Sequence, residues 1–547
     1  MGLGILEPHQ PTGNVPGTVV LGAEEAERIH DDRTLKRGTG KYSDIILTPQ
    51  PSDDPNDPLN WPQWKKCVAS LILVLGSCLC ASCTGPLLNA SLAVLAVQFN
   101  RPIGDITVLS GYQLLVAGAS GPFVSALSRK YGKRPVFFFS SLACLVGTII
   151  GSASTTYNTL LASRIVQGFS LASYESLVFT SIGDLFFVHE RGLWTMVMAF
   201  TLNCVSNLSS VVAGRITLSL GWHYLFHILA ACVGFQLLLL FFFVPETSYV
   251  RTAQPGHHAI NVNTEGATEK PAPDGEEACQ VENVESVPTI PPRKSFWQEL
   301  ALFNGTFSEE SLFELTISPF VACTNLAALW TVFVGGAVTS FYVAIAYVIA
   351  QLFSPPPYLL SVAEVGYVSL GPFIGGAIGS VIVGALLDPL SLWMAKRNNG
   401  VFEPEFRLAS TPLGVLCGAG LFGFGAVSEA QGSIYLVAFM WGLMLCGTSF
   451  IIGPCSAYTI DAFRGMSGEI FIANVMVKNF LFYGYTYFMN DWTASAGARA
   501  PFFTFGGISL GLVLSTILVY VFGKQYRGFW HKHNIMEKFN IKTHPDM

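Results

Sequence analysis

Residues 223–244 read HYLFHILAACVGFQLLLLFFFV, and this stretch decides the fold of the chain. It contains no Asp, Glu, Lys or Arg, and about 20 such residues form a helix long enough to cross the hydrocarbon core of a bilayer. The long polar stretch 247–316 follows almost at once. Similar apolar segments occur on both sides of it, so twelve spans are predicted, six before and six after, near residues 67–88, 105–127, 135–153, 158–182, 192–213, 223–244, 321–350, 363–386, 410–429, 433–457, 469–489 and 502–523.

The composition also predicts a membrane protein. Of the 547 residues, 51% are hydrophobic and 12% are charged, which is about half the charged fraction of a soluble domain. The net charge of −6 and the lack of a basic patch argue against a nucleic-acid partner, so the lipid bilayer is the expected environment. The twelve cysteines lie mostly inside apolar segments without the spacing of a ligand set, and neither a metal nor a cofactor is predicted.

The distribution of positive charge predicts the orientation. If both termini lie in the cytosol, 25 of the 30 Lys and Arg residues fall in cytosolic segments, as the positive-inside rule requires. The N-terminal residues and the stretch after span six are polar and lack apolar content to pack, so disorder is expected there. The predicted organisation is a disordered cytosolic tail at 1–65, a six-helix bundle at 66–246, a cytosolic linker at 247–316, a second bundle at 317–523 and a cytosolic tail at 524–547.

Three motifs resemble those of the major facilitator superfamily. Residues 125–134 (SALSRKYGKR) are similar to its G-x-x-x-D-R/K-x-G-R-R loop after span two, residues 164–168 (RIVQG) to its R-x-x-Q-G motif in span four, and residues 245–247 (PET) to the end of span six in fungal members. Two further stretches, 57–61 (DPLNW) and 403–408 (EPEFRL), resemble fungal twelve-span members near the drug:proton antiporters and the polyamine and histidinol transporters.

The chain departs from the first motif at two positions. Ser125 and Arg129 stand where Gly and Asp are usual, whereas the second half keeps Gly384 and Asp388 at the matching place after span eight. The carboxylate that usually holds the cytosolic gate is therefore expected from one half. The Gly-Pro-rich motif that drug:proton antiporters carry in span five is also degraded here.

The resemblance implies an all-α integral membrane protein with the major facilitator fold, in which two pseudo-symmetric six-helix bundles enclose a central cavity and rock against each other. It implies a transporter and not an enzyme. The first hypothesis is proton-coupled efflux of a metabolite, toxin or drug, and the second is uptake of polyamines or other organic cations. A non-transporting membrane sensor is a remote third. A monomer in the plasma membrane is expected, with the vacuole or another endomembrane as the alternative location.

Charged side chains inside spans cost ~2.5–3.5 kcal/mol each on insertion scales and therefore require a reason. Arg164 and Glu175 lie eleven residues apart, about three helical turns, so they share one face of span four, and Gln167 lies one turn from Arg164. Glu175 is predicted to carry a proton or to face a cationic solute, unless it only pairs with another helix. For Lys478 the alternatives are a counter-ion for an anionic solute, a partner for a carboxylate across the cavity, and a structural salt bridge.

Polar and aromatic side chains complete the predicted pathway. Asn203 and Asn207 are spaced i, i+4 on span five and share a face that is predicted to line the cavity, with hydrogen bonds to neighbouring helices as the alternative. Tyr342 is a candidate for cation–π contact with an organic cation, unless it serves only in packing. Asn89-Ala90-Ser91 forms a glycosylation sequon in the first predicted external loop. The gate candidates, from the motif loop and from the cytosolic ends of spans, are Arg129, Gly132, Arg134, Asp184, Asp388 and Asp461. Solvated helix-end carboxylates are the alternative for the three aspartates.

Overall fold

The computed structural model describes residues 3–7, 15, 17–20, 51–249 and 293–533, and the structural statements below refer to these residues. Most of the predicted tail at 1–65, the body of the predicted linker at 247–316 and residues 534–547 of the predicted C-terminal tail lie outside them. The domain boundaries given above therefore stay a prediction.

Twelve long helices make up the part of the chain that the structure describes. They are α1 Gln63–Phe99, α2 Ile103–Tyr131, α3 Lys133–Ser152, α4 Tyr157–Leu185, α5 from Val188 to Leu220, α6 His223–Phe243, α7 Leu326–Phe353, α8 Val362–Arg397, α9 Pro404–Glu429, α10 Ile434–Ala462, α11 Ser467–Ala496 and α12 Arg499–Lys532. Two shorter helices, Phe296–Glu299 and Leu312–Ala322, precede α7. We call α1–α6 the first half and α7–α12 the second half.

Nine of the described helices are long and apolar enough to cross a membrane. The three long helices that are too polar by this criterion are α2, α4 and α11, with 29, 29 and 30 residues. They are the helices that bear the interior polar residues Gln113, Arg164, Glu175 and Lys478. Their polarity therefore marks the interior of the bundle.

Two helices of the first half contain a π-helical segment. In α1 this segment is Cys78–Cys83 and in α5 it is Thr201–Val205. The two segments pack against each other, and the Ser82 hydroxyl donates to the carbonyl of Thr201 at 2.9 Å. Beyond its π segment, α1 continues as a 3-10 turn, Pro86–Ser91, and ends at Phe99, eleven residues later than the predicted span.

The two halves pack through α2 against α11 and through α5 against α8. Small residues allow close approach at both contacts. A Cβ built at Gly118 of α2 would lie 3.2 Å from Asn479, and one at Gly366 of α8 would lie 2.8 Å from the Ser210 carbonyl oxygen. We call the end of the bundle that carries Arg129, Arg134 and Arg407 the basic end; it is the predicted cytosolic end.

The N-terminal segment contacts the second half at the basic end. Val19–Val20 (β1) pairs antiparallel with Val401–Phe402 (β2), the Leu6 N–H donates to the Val521 carbonyl at 3.0 Å, and Glu7 pairs with Lys524 at 2.8 Å. Ile5 is 3% exposed and packs against Met394, Ala395 and Phe406. These described residues of the N-terminal segment thus lie against the second half.

Candidate functional site

An ion pair joins the two halves near the middle of the bundle. The Lys478 ammonium group on α11 pairs with the Glu175 carboxylate on α4, and the Asn479 amide donates to the same carboxylate at 3.2 Å. The two charged side chains are 12% and 13% exposed. Glu175 is ten residues from the end of α4 and Lys478 eleven from the start of α11, so the pair lies about 15 Å from the basic end at 1.5 Å per residue. That is about half of the ~30 Å hydrocarbon core.

Close packing around α11 limits the exposed surface of this pair. Gly118 of α2 abuts Asn479 and Phe480, and a Cβ built at Gly336 of α7 would lie 3.2 Å from Val477. Lys478 had three predicted alternatives. The contact present in the structure is the one with a carboxylate of the other half. Neither its role nor that of Glu175 follows from this contact alone.

Arg164 belongs to a different cluster inside the first half. Its guanidinium group is fully buried and donates to the Thr84 carbonyl at 2.8 Å, the Gln167 side chain at 3.0 Å and the Gln113 side chain at 3.2 Å. Gln167 in turn donates to the Thr148 hydroxyl at 2.9 Å. The predicted shared face of Arg164 and Glu175 thus meets different neighbours, because α4 packs on α1, α2 and α3 along most of its length and contacts α11 at Glu175.

A small cavity lies between the two halves. The first half contributes α1 and α5 to it, and the second half contributes α7, α8 and α10. The cavity is lined by Pro86, Asn89, Ala90, Ser206, Asn207, Ser210, Tyr342, Ala346, Ile349, Val365, Gly366, Ser369 and Trp441. The Tyr342 hydroxyl approaches that of Ser206 at 3.4 Å, so the wall is hydrogen-bonded across the two halves.

Two predicted pathway residues, Asn207 and Tyr342, line this cavity, and Asn203 does not. The Asn203 amide donates to the Ala199 carbonyl of its own helix at 3.0 Å. Asn89 lines the cavity instead of forming an external loop. Its side chain is 8% exposed inside the bundle, which leaves no room for a glycan, so the proposed glycosylation site is wrong. The error came from ending span one at residue 88.

Among the gate candidates, Arg129 is the one whose side chain contacts the second half in the described chain. Its guanidinium group lies 2.5 Å from the Glu469 carboxylate at the start of α11 and 3.9 Å from that of Glu310. The motif position that usually supplies a carboxylate therefore supplies the cation here, and the second half supplies the acid. The sequence alone did not identify Glu469 or Glu310.

The three aspartates among the gate candidates pair within one half. Asp184 pairs with Lys133 in the first half, and Arg407 pairs with both Asp461 and Asp388 in the second half. Lys133 with Asp184 and Arg407 with Asp461 join equivalent helices, α3 to α4 and α9 to α10. Asp461 thus has its partner within its own half, because the start of α9 brings Arg407 to it.

Gly132 and Arg134 shape the turn between α2 and α3. Gly132 has φ +95°, a conformation that favours glycine, and a Cβ there would collide with the Glu246 carboxylate. That carboxylate accepts from the backbone N–H groups of Lys133 and Arg134 at 2.9 and 3.1 Å, so the Glu of the Pro-Glu-Thr ending caps α3. Arg134 donates to the carbonyls of Phe241 and Glu299. Both residues thus stabilise the basic end of the first half, and Arg134 also holds the described part of the predicted linker at Glu299.

Comparison with known proteins gives one consistent result. A family model described as Major Facilitator Superfamily matches residues 71–482. An uncharacterized MFS-type transporter of Schizosaccharomyces pombe is 26% identical over 99% of this chain and 97% of its own length. Protein HOL1 of Saccharomyces cerevisiae is 22% identical over 96% of this chain and 97% of its own length.

Solved structures share the fold. The human organic anion transporter MFSD10 superposes with a TM-score of 0.54 and 15% identity, covering 83% of this chain and 100% of that chain. A D-xylose–proton symporter superposes with a TM-score of 0.57 and 13% identity, covering 84% and 99%. The predicted all-α fold is thereby confirmed. The family match also confirms the prediction of a multi-pass membrane transporter of small solutes and not an enzyme. The chain belongs to the Major Facilitator Superfamily.

Proposed function

We propose that this transporter couples solute movement to protons through the Glu175–Lys478 pair. The observation that supports the proposal is the position of the pair, with one partner on α4 of the first half and the other on α11 of the second half. A proton on Glu175 removes the negative charge and leaves Lys478 as a partly buried cation without an anionic partner. Such a charge is costly in a low-dielectric interior, so protonation favours an arrangement in which the two halves separate at this point.

The proposed direction is export of a metabolite, toxin or drug from the cytosol, in keeping with the resemblance to fungal efflux carriers. A second candidate is uptake of an organic cation. In that mechanism the cation replaces Lys478 as the partner of Glu175, which has a carboxylate already placed between the halves. The protein is proposed to act as a monomer in the plasma membrane with both termini in the cytosol.

Replacing Glu175 with glutamine tests the coupling. Glutamine keeps the shape of the side chain and cannot titrate, so we expect Glu175→Gln to lose accumulation driven by a pH gradient while counterflow of the same solute continues. The measurement is transport by purified protein in liposomes, with and without the gradient, using a solute identified by a counterflow screen.

The control is Glu364→Gln. Glu364 is an exposed residue of a capping box at the start of α8, a position where glutamine also serves, and both activities should remain there. If Glu175→Gln loses counterflow as well, the organic-cation mechanism is favoured. If both activities survive in the folded protein, the pair is structural and the proposed coupling is wrong.

The Arg129–Glu469 contact is expected to hold the basic end closed. Arg129→Glu places three carboxylates together and should slow transport severalfold by favouring separation at that end, and adding Glu469→Arg should restore much of the rate. Contacting charged residues show coupling energies of about 0.5–3 kcal/mol in double-mutant cycles. Liposome exchange rates for the two single variants and the double variant provide the measurement.

The Lys133–Asp184 pair is a matched control for this experiment. It lies at the same end but within the first half, so reversing both of its charges should leave the exchange rate near that of the parent protein. Equal rate losses at both pairs, or no recovery in the Arg129→Glu, Glu469→Arg double variant, would contradict a gate at Arg129.

A further inference from the structure

The described residues that line the cavity between the halves include no charged residue. All thirteen lining residues are neutral, and the polar ones are Asn, Ser, Tyr and Trp. The carbon skeleton of a solute has apolar walls available at Ala346, Ile349 and Val365. Sites of this kind, mostly apolar with a few placed polar groups, bind small organic molecules.

Two buried polar atoms in this lining have no protein partner among the described residues. They are Oδ1 of Asn89, whose side chain is 8% exposed, and Nε1 of Trp441, which is 1% exposed. Buried polar atoms are paired in the great majority of cases, because leaving one unpaired is destabilising. The cavity lining thus offers one free acceptor and one free donor, which match a ligand that both donates and accepts hydrogen bonds.

From these observations we infer that Asn89 and Trp441 bind an uncharged hydroxyl or carboxamide group of the transported solute. The inference rests on the transport function proposed above and deepens it by naming the solute class. A hydroxyl or amide supplies a donor for Asn89 Oδ1 and an acceptor for the Trp441 N–H. An ammonium or carboxylate group would enter a lining without an opposite charge, and burying an unpaired ion is far more costly than burying a hydrogen-bonded neutral group.

The position of the two residues gives the contact a role in the transport cycle. Asn89 lies on α1 of the first half and Trp441 on α10 of the second half. A solute group that bonds to both residues contacts the two halves at once. It therefore stabilises the arrangement in which the halves are in contact at the cavity. Solute binding thus changes the relative stability of the closed and open arrangements, as alternating access requires.

A charge-sorted counterflow screen tests the inference with the full chain in liposomes. The panel is balanced between uncharged alcohols and amides, amines, and carboxylates, and it includes the size-matched indole-3-acetamide, tryptamine and indole-3-acetate. We expect exchange to favour uncharged compounds. For the best of them, Asn89→Leu and Trp441→Phe should each weaken apparent affinity about tenfold, the usual effect of losing one buried hydrogen bond.

Two further variants make the result specific. Trp393→Phe removes an exposed tryptophan at the far end of α8, where it stacks on Arg397, and should leave the affinity unchanged. Asn89→Asp, nearly isosteric with the parent, should bring the amine tryptamine into the exchanged set. This gain of exchange cannot result from misfolding, so it guards against loss of activity through instability.

Preference of the parent protein for amines or carboxylates would overturn the inference, as would unchanged affinity in both Asn89→Leu and Trp441→Phe. The proposed coupling can fail separately. Exchange of uncharged solutes that never responds to a pH gradient would contradict a proton mechanism at Glu175 and would leave the assignment of Asn89 and Trp441 in place.

Discussion

Replacing Lys478 with methionine is expected to destabilise the folded protein by about 1–3 kcal/mol, the usual cost of leaving an interior polar group without its partner. The substitution leaves the Glu175 carboxylate between two helices with only the Asn479 amide as a partner. Methionine retains the length and apolar stem of lysine, so packing against α2 and α7 changes little. The measurement is the thermal unfolding midpoint of purified protein in detergent, compared with that of the parent.

The double variant Lys478→Met, Glu175→Met separates the pair from its surroundings. Replacing a whole buried pair by apolar residues of similar volume is often neutral or stabilising, so the double variant should recover most of the lost stability. It should also lose pH-driven transport, since no titratable group remains at this point. A double variant no more stable than Lys478→Met would show that the charges are not mutually compensating, contrary to the contact described here.

Replacing Gly375 with leucine should be at least as damaging, at about 3 kcal/mol or more, the upper part of the range for overpacked cores. Gly371, Gly375 and Gly379 form a stripe at i, i+4, i+8 along α8. A Cβ at each of the three positions would collide with the backbone of α10, at Ala438, Gly442 and Cys446 respectively. Backbone cannot rotate away as a side chain can, so α8 must move off α10.

A glycine on an open surface provides the control. A Cβ built at Gly511 of α12 would meet nothing within 4 Å, and Gly511→Ala should therefore be neutral or stabilise the helix by roughly 0.5–1 kcal/mol. The same detergent unfolding assay covers both variants. Comparable stability of Gly375→Leu and the parent protein would mean that α8 and α10 do not approach as closely as described.

The positions of the membrane helices could be predicted from sequence because a helix that crosses a bilayer needs about 20 mostly apolar residues in a row. An apolar stretch such as 223–244 has the same meaning wherever its helix sits in the bundle. The polar helices were harder to delimit but were still found, since Arg164, Glu175 and Lys478 each interrupt an apolar run that is otherwise long enough to span.

The partners of those polar residues could not be predicted in the same way. Glu175 and Lys478 are 303 residues apart in sequence, and their contact depends on how α4 and α11 are rotated about their own axes. Helical spacing placed Arg164 and Glu175 on one face of α4. It could not predict that this face meets α1 and α2 at Arg164 but α11 at Glu175. Glu469 had no signal of its own, because an acid in the first turn of a helix is common.

Asn89 illustrates a different kind of failure. Hydropathy falls where α1 leaves its π segment, and this drop resembles the end of a span. A 3-10 turn instead carries the helix on through Asn89, so a residue of the cavity was interpreted as part of a loop. Irregular helix geometry has no reliable sequence pattern, and residues close to it are those for which sequence reasoning is weakest.

The docked N-terminal segment also has a meaning for how the protein is made. Residues 5–7 leave the ribosome before the residues that they contact, because Met394, Val521 and Lys524 are synthesised roughly 20–100 s later at about 5–20 residues per second. During that interval the segment has no surface to bind. Its docking is therefore a late step of biogenesis, and protection of residues 5–7 from a protease would report that the second half has been completed and assembled.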